Sequence, residues 1–426
     1  MKKLATSVAA LALGAGAASA GGIERGNINY SLLFQSGNHI EFGASLVNPN
    51  VSGEYPAALG GGSTGNMAKS YASLSASYKN QLSDNLDFGL FLNTPYGANA
   101  LYTQGVYTGL AADWESKGTA AILKYRIGDR FSIFGGLRYV ESTADIAIPE
   151  LLVRNSVGNY ATDLGAQAAQ LAADAGAAAV AGDLATAAAL GAEAAALGAE
   201  ATRLGTAANP LSNPLGDPGM TYTATGEKRG DVGYVLGAAY EIPDIALRVA
   251  LTWESGITHK FDTAEALTSL GINGNGTTEV ELPQSIALDF QTGIAQGTLL
   301  FGGIKWTEWS KWEVRTPAYE SVTGGRVTGL DNDTVTYRLG LGRQFNETTS
   351  GFAQISYEAS TGDVASRLAP TDGRISLGIG GQWQDENAKL RAGMEYVSLG
   401  DATDGSGVEF SGNSAIGVGM SFTLSF

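Results

Sequence analysis

The stretch Ala415-Ile416-Gly417-Val418-Gly419-Met420-Ser421-Phe422-Thr423-Leu424-Ser425-Phe426 decides the fold class. Every second side chain in it is apolar, and the residues between them are small or polar. A period of two is that of a β-strand, and one apolar face opposite a polar face is typical of a strand between lipid and a barrel lumen. A strand of a soluble sandwich alternates in the same way, but six alternations that end on Phe426 favour the last strand of an outer-membrane barrel. We expect this strand to be recognised by the barrel-assembly machinery.

The same alternation recurs along most of the chain, for example in 131–139, 245–254 and 335–342. It predicts fourteen strands between residues 38 and 426, separated by six short turns and seven long loops. Two of these long loops are placed at 262–276 and 316–330. An even number of antiparallel strands, with short turns at one end and long loops at the other, is the plan of a bacterial outer-membrane barrel. The sequence therefore predicts an all-β fold, a transmembrane antiparallel β-barrel over residues 38–426.

The composition excludes several other classes of protein. The chain has 426 residues, 59 glycines, no cysteine and a net charge of −16. The acidic balance argues against nucleic-acid binding, and the absence of cysteine excludes disulfides and thiolate metal sites. With only two histidines, and no recognisable nucleophile motif beside His259, we expect no catalytic residue, metal or cofactor.

The first residues have the pattern of a secretory signal peptide. Lys2 and Lys3 precede the apolar run 4–14, and Ala18-Ser19-Ala20 is a typical cleavage site. We expect residues 1–20 to be removed on export, which places the protein in the outer membrane of a Gram-negative bacterium. Only residues 21–37 then precede the first strand, as a short plug-like segment.

An Ala-rich insertion at 160–208 interrupts the strand pattern. Alanine is the strongest helix former, and Gly182-Asp183 offers a break followed by an N-cap. We predict a helical hairpin in the third extracellular loop, although a disordered low-complexity loop is the alternative. Its leucines are candidates for capturing a hydrophobic ligand or, alternatively, for packing the two helices together. These leucines are Leu164, Leu171, Leu190, Leu197 and Leu204.

Several basic residues lie opposite the apolar faces of their strands, so we expect them in the lumen. A charged side chain that faced lipid at mid-bilayer would cost roughly 2–4 kcal/mol. Arg138, Lys305 and Arg338 fall in the outer half of the lumen, where they could hold an anionic head group. Alternatively, they pair with lumen carboxylates and brace the barrel. Trp306, Trp309 and Trp312 are expected in an aromatic girdle at the membrane surface.

Three groups of short motifs, in this order along the chain, resemble the FadL-type (TodX-like) outer-membrane transport family. The first is Leu33-Phe34-Gln35-Ser36-Gly37-Asn38 with Glu41-Phe42 and the run 47–53. The second is Leu282-Pro283-Gln284-Ser285 with Trp306-Thr307-Glu308-Trp309-Ser310, and the third is the run 370–378. The resemblance implies a monomeric fourteen-stranded barrel, an N-terminal plug, and passage of long-chain fatty acids or aromatic hydrocarbons with a sideways exit through the wall. The family's long N-terminal hatch with its Asn-Pro-Ala motif is absent.

We therefore expect a channel for passive uptake of hydrophobic small molecules, most of all long-chain fatty acids. Its partners would be that ligand, outer-membrane lipid and lipopolysaccharide. A general diffusion porin for polar solutes is the first alternative. A surface barrel for adhesion or phage attachment, with 160–208 as its recognition element, is the second. Thr94-Pro95-Tyr96-Gly97, at the outer end of the third strand, hints at a local opening.

Overall fold

The structure is a computed structural model that describes residues 23–426, so the expected signal peptide at 1–20 lies outside the described residues. Fourteen strands pair antiparallel in chain order, and the last pairs with the first to close a barrel. They are β1 (His39–Asn50), β2 (Tyr71–Gln81), β3 (Leu86–Asn93, continued by Gly97–Leu101), β4 (Ala111–Ile127), β5 (Phe131–Ile148), β6 (Tyr222–Ile242), β7 (Leu247–Glu254, continued by Ile257–Leu267), β8 (Ile272–Leu282, continued by Ser285–Ala295), β9 (Thr298–Thr307), β10 (Thr334–Gln344), β11 (Thr349–Glu358), β12 (Arg374–Gln384), β13 (Ala388–Leu399) and β14 (Ser414–Ser425).

The alternation in the sequence is the alternation of the two barrel faces. In β14 the side chains of Ile416, Val418, Met420 and Phe422 are exposed on the outside, whereas Thr423 is buried toward the lumen. The closing ladder pairs His39 with Ser425 and continues without a break to Asn50 and Ser414. The predicted fourteen-stranded barrel is confirmed, and the exposed apolar side chains of its strands form its lipid-facing surface.

Two of the predicted long loops are wrong. β7 and β8 extend to Leu267 and Ile272, and only a 3-10 turn, Thr268–Leu270, joins them. Buried and exposed residues alternate along all of Ile257–Leu267, and Gly271 closes the turn with a φ of +76°. The loop after β9 instead begins early, at Thr307, and contains the 3-10 turn Trp309–Lys311 and the helix Pro317–Thr323.

The expected aromatic girdle is also wrong for two of its members. Trp309 and Trp312 are 2% and 6% exposed, because the chain turns inward after β9 instead of continuing along the wall. They join Tyr96, Trp114 and Phe261 in a buried cluster that also contains Val140, Ile257 and Val280. We call these five aromatic residues the outer aromatic cluster. It lies inside the barrel, where residues of β3, β4 and β7 meet the loop after β9.

The insertion forms a hairpin of two helices, α1 (Glu150–Val180) and α2 (Leu184–Ala208), so the predicted hairpin starts ten residues too late. Asp183 is the N-cap of α2, and its carboxylate accepts from the Thr186 backbone N–H. Small residues let the helices approach: a Cβ added at Gly205 would lie 3.7 Å from Ala161 Cβ. None of the described helices is long and apolar enough to cross a membrane.

Arg154 holds the base of the hairpin to the barrel. Its guanidinium donates to the carbonyls of Ala207, Ala208 and Pro214, and it forms an ion pair with Glu150 at 2.7 Å. These carbonyls end α2 and begin the return to β6, where the helix would otherwise leave acceptors unpaired. One buried side chain thus fixes both ends of the insertion.

The outer loops pack into a lid over the barrel mouth. Tyr55, Tyr102 and Tyr107 form an edge-to-face group, and Asp404 accepts from the Tyr107 hydroxyl at 2.6 Å. Burial raises the pKa of Tyr107, and the hydrogen bond to Asp404 adds to the rise. Tyr107 therefore stays a neutral donor, which keeps the loop 401–413 joined to the loop 102–110.

Candidate ligand path through the lumen and the wall

The described residues before β1 lie inside the barrel. Leu32 and Leu33, on the 3-10 helix Tyr30–Phe34, are fully buried and pack against Phe91 and Phe134 of the inner wall. This segment is short, but its apolar side chains cover part of the lumen wall that would otherwise be wet.

Two lysines of the wall fasten this segment by its carbonyl groups. Lys79 Nζ donates to the carbonyls of Gln35 and Gly37 at 2.9 and 2.8 Å, and Lys124 Nζ donates to that of Leu33 at 2.8 Å. Both ammonium groups also contact the fully buried Asp87, at 2.8 Å from Lys79 Nζ and 3.6 Å from Lys124 Nζ. Because the buried charges are paired and hydrogen-bonded, the anchor is stable in the lumen.

The start of the segment pairs instead with the interrupted part of β3. The Arg25 N–H donates to the Pro95 carbonyl at 2.8 Å, and the Gly97 N–H donates to the Ile23 carbonyl at 2.7 Å. Glu24 and Tyr96 form the antiparallel bridge between these bonds. The Pro95 carbonyl and the Gly97 N–H therefore bond to the N-terminal segment rather than to β2, whereas both backbone groups of Tyr96 bond to Ser116 Oγ on β4.

The ladder between β2 and β3 is interrupted at this place. It runs from Gln81–Asp87 to Ala76–Leu92 and resumes in the same register at the Ala68–Ala100 bridge. In the described chain, no ladder pair joins 70–75 to 93–98. A barrel wall without ladder bonds has a gap wherever side chains do not fill it.

A cleft of about 950 Å³ lies at this gap, on the outside of the barrel; we call it the side cleft. Exposed apolar side chains of lipid-facing positions line it, among them Phe42, Leu74, Leu92, Met420 and Phe422. On the lumen side of the same gap lies a cavity of about 90 Å³. The two share nine lining residues: Gly43, Ala44, Leu74, Ser75, Leu92, Asn93, Thr94, Met420 and Ser421. The wall is therefore thin between lumen and membrane at this point.

A larger lumen cavity, of about 230 Å³, lies on the other side of the N-terminal segment. Asn27, Ile28 and Asn29 line both this cavity and the one at the wall gap. Its wall combines apolar atoms with the charged groups of Arg248, Lys305, Arg338, Arg374, Asp289, Glu254 and Glu395. A shift of 27–29 would join the lumen cavity to the gap.

The three predicted lumen cations all point inward, and each has an acidic partner. Arg138 pairs with Glu254, Lys305 pairs with Glu24 of the N-terminal segment, and Arg338 pairs with Asp289 at 2.8 Å. Lys305 and Arg338 line the 230 Å³ cavity, whereas Arg138 lines a small cavity beside Tyr96. An anionic ligand would have to compete with these carboxylates. A role in ligand binding therefore stays a prediction.

The five predicted capture leucines do not form one surface. Leu164 and Leu204 are buried in the apolar core under the outer loops, and Leu197 packs against that core. Leu171 and Leu190 are half-buried farther along the hairpin. These contacts are those of helix–helix packing, the alternative weighed for them, and ligand capture by them stays a prediction.

One arrangement could not be found from sequence spacing. Ser142 Oγ lies 3.1 Å from His259 Nε2, and His259 Nδ1 lies 2.8 Å from Asp231 Oδ2. These residues come from β5, β7 and β6, and they are connected in the order of a Ser-His-Asp triad. Ser142 is only 1% exposed and His259 is fully buried, so neither presents a nucleophile to a substrate. The three side chains brace the wall.

Residues 1–425 match the model of the family described as outer membrane protein transport protein (OMPP1/FadL/TodX). The chain belongs to this family. Its members are transport channels of the Gram-negative outer membrane that move hydrophobic compounds through the barrel, which places this protein in that membrane. A search of curated proteins finds no match.

Solved structures give the same fold at low sequence identity. The FadL homologue of Pseudomonas aeruginosa is 12% identical with a TM-score of 0.64, over 93% of this chain and 92% of that one. The P. putida toluene transporter TodX is 14% identical with a TM-score of 0.60, over the same shares. The Ralstonia pickettii toluene transporter TbuX is 12% identical with a TM-score of 0.54, over 92% and 90%.

Proposed function

We propose that this FadL-family barrel takes up long-chain fatty acids and releases them sideways into the outer membrane through the gap between β2 and β3. The observation that carries the proposal is the side cleft, whose lining is shared with a lumen cavity. A water-filled pore gives a greasy solute no favourable surface, whereas a path that ends on lipid-facing apolar side chains delivers it where it is soluble.

A carboxylate head fits the charged groups of the lumen. Lys305 and Arg338 are the cations of the 230 Å³ cavity that we propose as its first partners, with Arg138 next to it. The carboxylate would replace Glu24 on Lys305 or Asp289 on Arg338. Replacing Glu24 loosens the N-terminal segment, and Asn27–Asn29 belong to that segment and line both cavities.

Monoaromatic hydrocarbons are the second candidate cargo. The outer aromatic cluster supports this cargo, because an aromatic ring that enters from outside meets Trp312, Trp114 and Phe261. Trp114 contacts each of the other two edge to face. Two of the structural neighbours are toluene transporters. We propose a monomer that contacts lipopolysaccharide and that the assembly machinery inserts through β14.

Uptake by cells that lack their own fatty-acid transporter tests this function. We expect cells that make this protein to take up radiolabelled oleate faster than matched cells with an empty vector. The double variant Lys305→Ala/Arg338→Ala should lose most of that difference. The variant Lys260→Ala, an exposed lysine on the outer part of β7, is the control.

Two results would overturn the fatty-acid proposal. Uptake of toluene with no uptake of oleate would favour the second cargo. Large steady conductance of the purified protein in a planar bilayer, without saturable oleate binding, would indicate a general diffusion porin.

A further inference from the structure

Lys117 stands at the outer edge of the membrane-facing wall. It points outward from β4, and the outward residues below it, Thr119, Ala121, Leu123 and Tyr125, are uncharged. The run from Thr119 to Ile127 has the length of one strand crossing of the bilayer core. Lys117 is therefore the first outward charge on β4 beyond the apolar belt.

Glu141, the residue opposite Lys117 on β5, forms its ion pair with a different lysine. Lys117 lies opposite Glu141 in the ladder, but the Glu141 carboxylate forms its ion pair with Lys228 at 2.7 Å. Among the described residues, no carboxylate forms an ion pair with Lys117. The exposed ammonium group of Lys117 is thus available to an external anion.

This lysine lines the side cleft, together with Tyr139 and Glu141. Most of the remaining outward lining is apolar, including Phe42, Leu74 and Leu92, and the outward Thr119 is uncharged. The cleft therefore has a cation at the polar boundary of the membrane and a greasy wall below it. That arrangement complements a single-chain amphiphile with one negative charge at its head.

We propose that Lys117 is an exit-side binding residue, which holds the carboxylate of a long-chain fatty acid while its chain passes through the side cleft into the bilayer. The inference rests on the proposed function and adds a residue to its last step. A carboxylate carried into hydrocarbon would lose its hydration at high cost, whereas at Lys117 it stays at the interface and is paired. The long aliphatic stem of lysine suits this position, since it lies along apolar surface and keeps its ammonium group in water.

The test compares a charged and an uncharged cargo with the same chain. Oleate and oleyl alcohol are given to cells that make the wild type, Lys117→Ala, Lys117→Arg or Lys260→Ala. We expect Lys117→Ala to lower the rate of oleate uptake severalfold and to leave that of oleyl alcohol unchanged. Lys117→Arg should restore oleate uptake because it keeps the charge. Lys260→Ala is the matched control, because Lys260 is an exposed outward lysine of β7 whose ion-pair partner, Glu279, does not line the cleft either.

Each other outcome contradicts a defined part of the argument. If wild-type uptake of oleate is intact and Lys117→Ala does not change it, the role of Lys117 is wrong and the transport function stands. If the rates of oleate and oleyl alcohol uptake fall by the same factor in Lys117→Ala, Lys117 shapes the wall and does not bind the carboxylate. If the wild type transports neither cargo, the proposed function itself fails. Heat-dependent gel migration of each purified variant shows that the barrel has folded.

Discussion

Among the described residues, the barrel wall lacks its ladder over a long stretch between β2 and β3 and over another between β6 and β7, and only the first of these is open. Between β2 and β3 the gap contains the side cleft of about 950 Å³. Between β6 and β7, no ladder pair within the described chain joins 227–233 to 256–262, although the register is the same on both sides. At this second gap Ile257 is 3% exposed and His259 is fully buried. We call the two places the open seam and the sealed seam.

The two seams differ in what replaces the missing ladder bonds. At the sealed seam, Ser255 Oγ accepts from the Tyr234 N–H at 2.9 Å, and His259 connects Asp231 to Ser142. The Ile257 side chain lies over Gly233, where an added Cβ would come within 2.7 Å of it. At the open seam, the N-terminal segment bonds to the Pro95 carbonyl and the Gly97 N–H instead.

Loss of ladder bonds is therefore insufficient to open a barrel wall. Buried backbone groups need partners in either case. Where those partners come from side chains within the wall, the seam stays filled. Where they come from a segment inside the lumen, the strand is drawn inward and a cleft remains. This comparison predicts that the seams respond differently to the following four changes.

Blocking the open seam should have the largest effect. The chain has no cysteine, so Ser75→Cys gives a single thiol, on a residue that lines both the side cleft and the lumen cavity behind it. We expect its reaction with a bulky maleimide to reduce oleate uptake to the level of cells without the protein. Val232→Cys, an outward position at the sealed seam, is the labelled control and should transport normally. Normal transport by labelled Ser75→Cys would show that the cargo does not leave at the open seam.

Breaking the sealed seam should destabilise it without stopping transport. His259→Ala removes a partner of both Ser142 and Asp231. Asp231 keeps its bonds from Arg229, whereas the buried Ser142 hydroxyl is left unsatisfied, at a cost of about 1–3 kcal/mol. We expect a lower unfolding temperature and faster amide exchange in 227–234 and 257–262, measured by mass spectrometry. The matched control is His39→Ala, because His39 also bonds two groups, the Ser36 carbonyl and Ser425 Oγ, but lies on a complete ladder. Equal exchange of 227–234 in both variants would mean that His259 does not seal the wall.

Detaching the N-terminal segment should narrow the open seam. A Cβ at Gly26 would lie 2.9 Å from the backbone oxygen of Thr94, which cannot move aside as a side chain can. Gly26→Ala should push the segment off 95–97, at a cost of roughly 1–3 kcal/mol typical of overpacking. We then expect β3 to pair further with β2, slower amide exchange in 93–98, and a partial loss of oleate uptake. Gly274→Ala is the control, since an added Cβ there meets nothing within 4 Å. Unchanged amide exchange in 93–98 would mean that the N-terminal segment does not determine the shape of the open seam.

The sequence alone was sufficient to predict the barrel but not the two seams. Period-two alternation reports which face meets lipid, so the fourteen strands and the inward cations followed from it. Thr94-Pro95-Tyr96-Gly97 gave only a hint of the open seam. Proline lacks a backbone N–H donor, but its position does not predict which segment pairs with the residues around it. That segment, Ile23–Gly26, lies about 70 positions earlier in the chain.

The sealed seam carried no comparable signal. Ser142, Asp231 and His259 are separated by up to 117 positions, and each is an ordinary residue of its strand. Only the lateral order of β5, β6 and β7 brings them together. For the same reason Trp309 and Trp312 looked like a girdle, because the inward turn after Thr307 is set by contacts with β4 and β7 that no local pattern reports.

Removing one hydroxyl from the sealed seam should have the smallest effect. Ser142→Ala leaves the His259–Asp231 bond in place and removes a single hydrogen bond, worth about 0.5–1.5 kcal/mol. We expect a small decrease in unfolding temperature and unchanged oleate uptake. The same variant tests whether Ser142, His259 and Asp231 only brace the wall or also act as the catalytic triad that their geometry resembles. A buried Ser142 should not react with a fluorophosphonate probe, and wild type and Ser142→Ala should hydrolyse p-nitrophenyl esters equally slowly. Labelling of wild type but not of Ser142→Ala would mean that Ser142 becomes exposed because the sealed seam opens on the timescale of the reaction. The two seams would then differ only in how often they open.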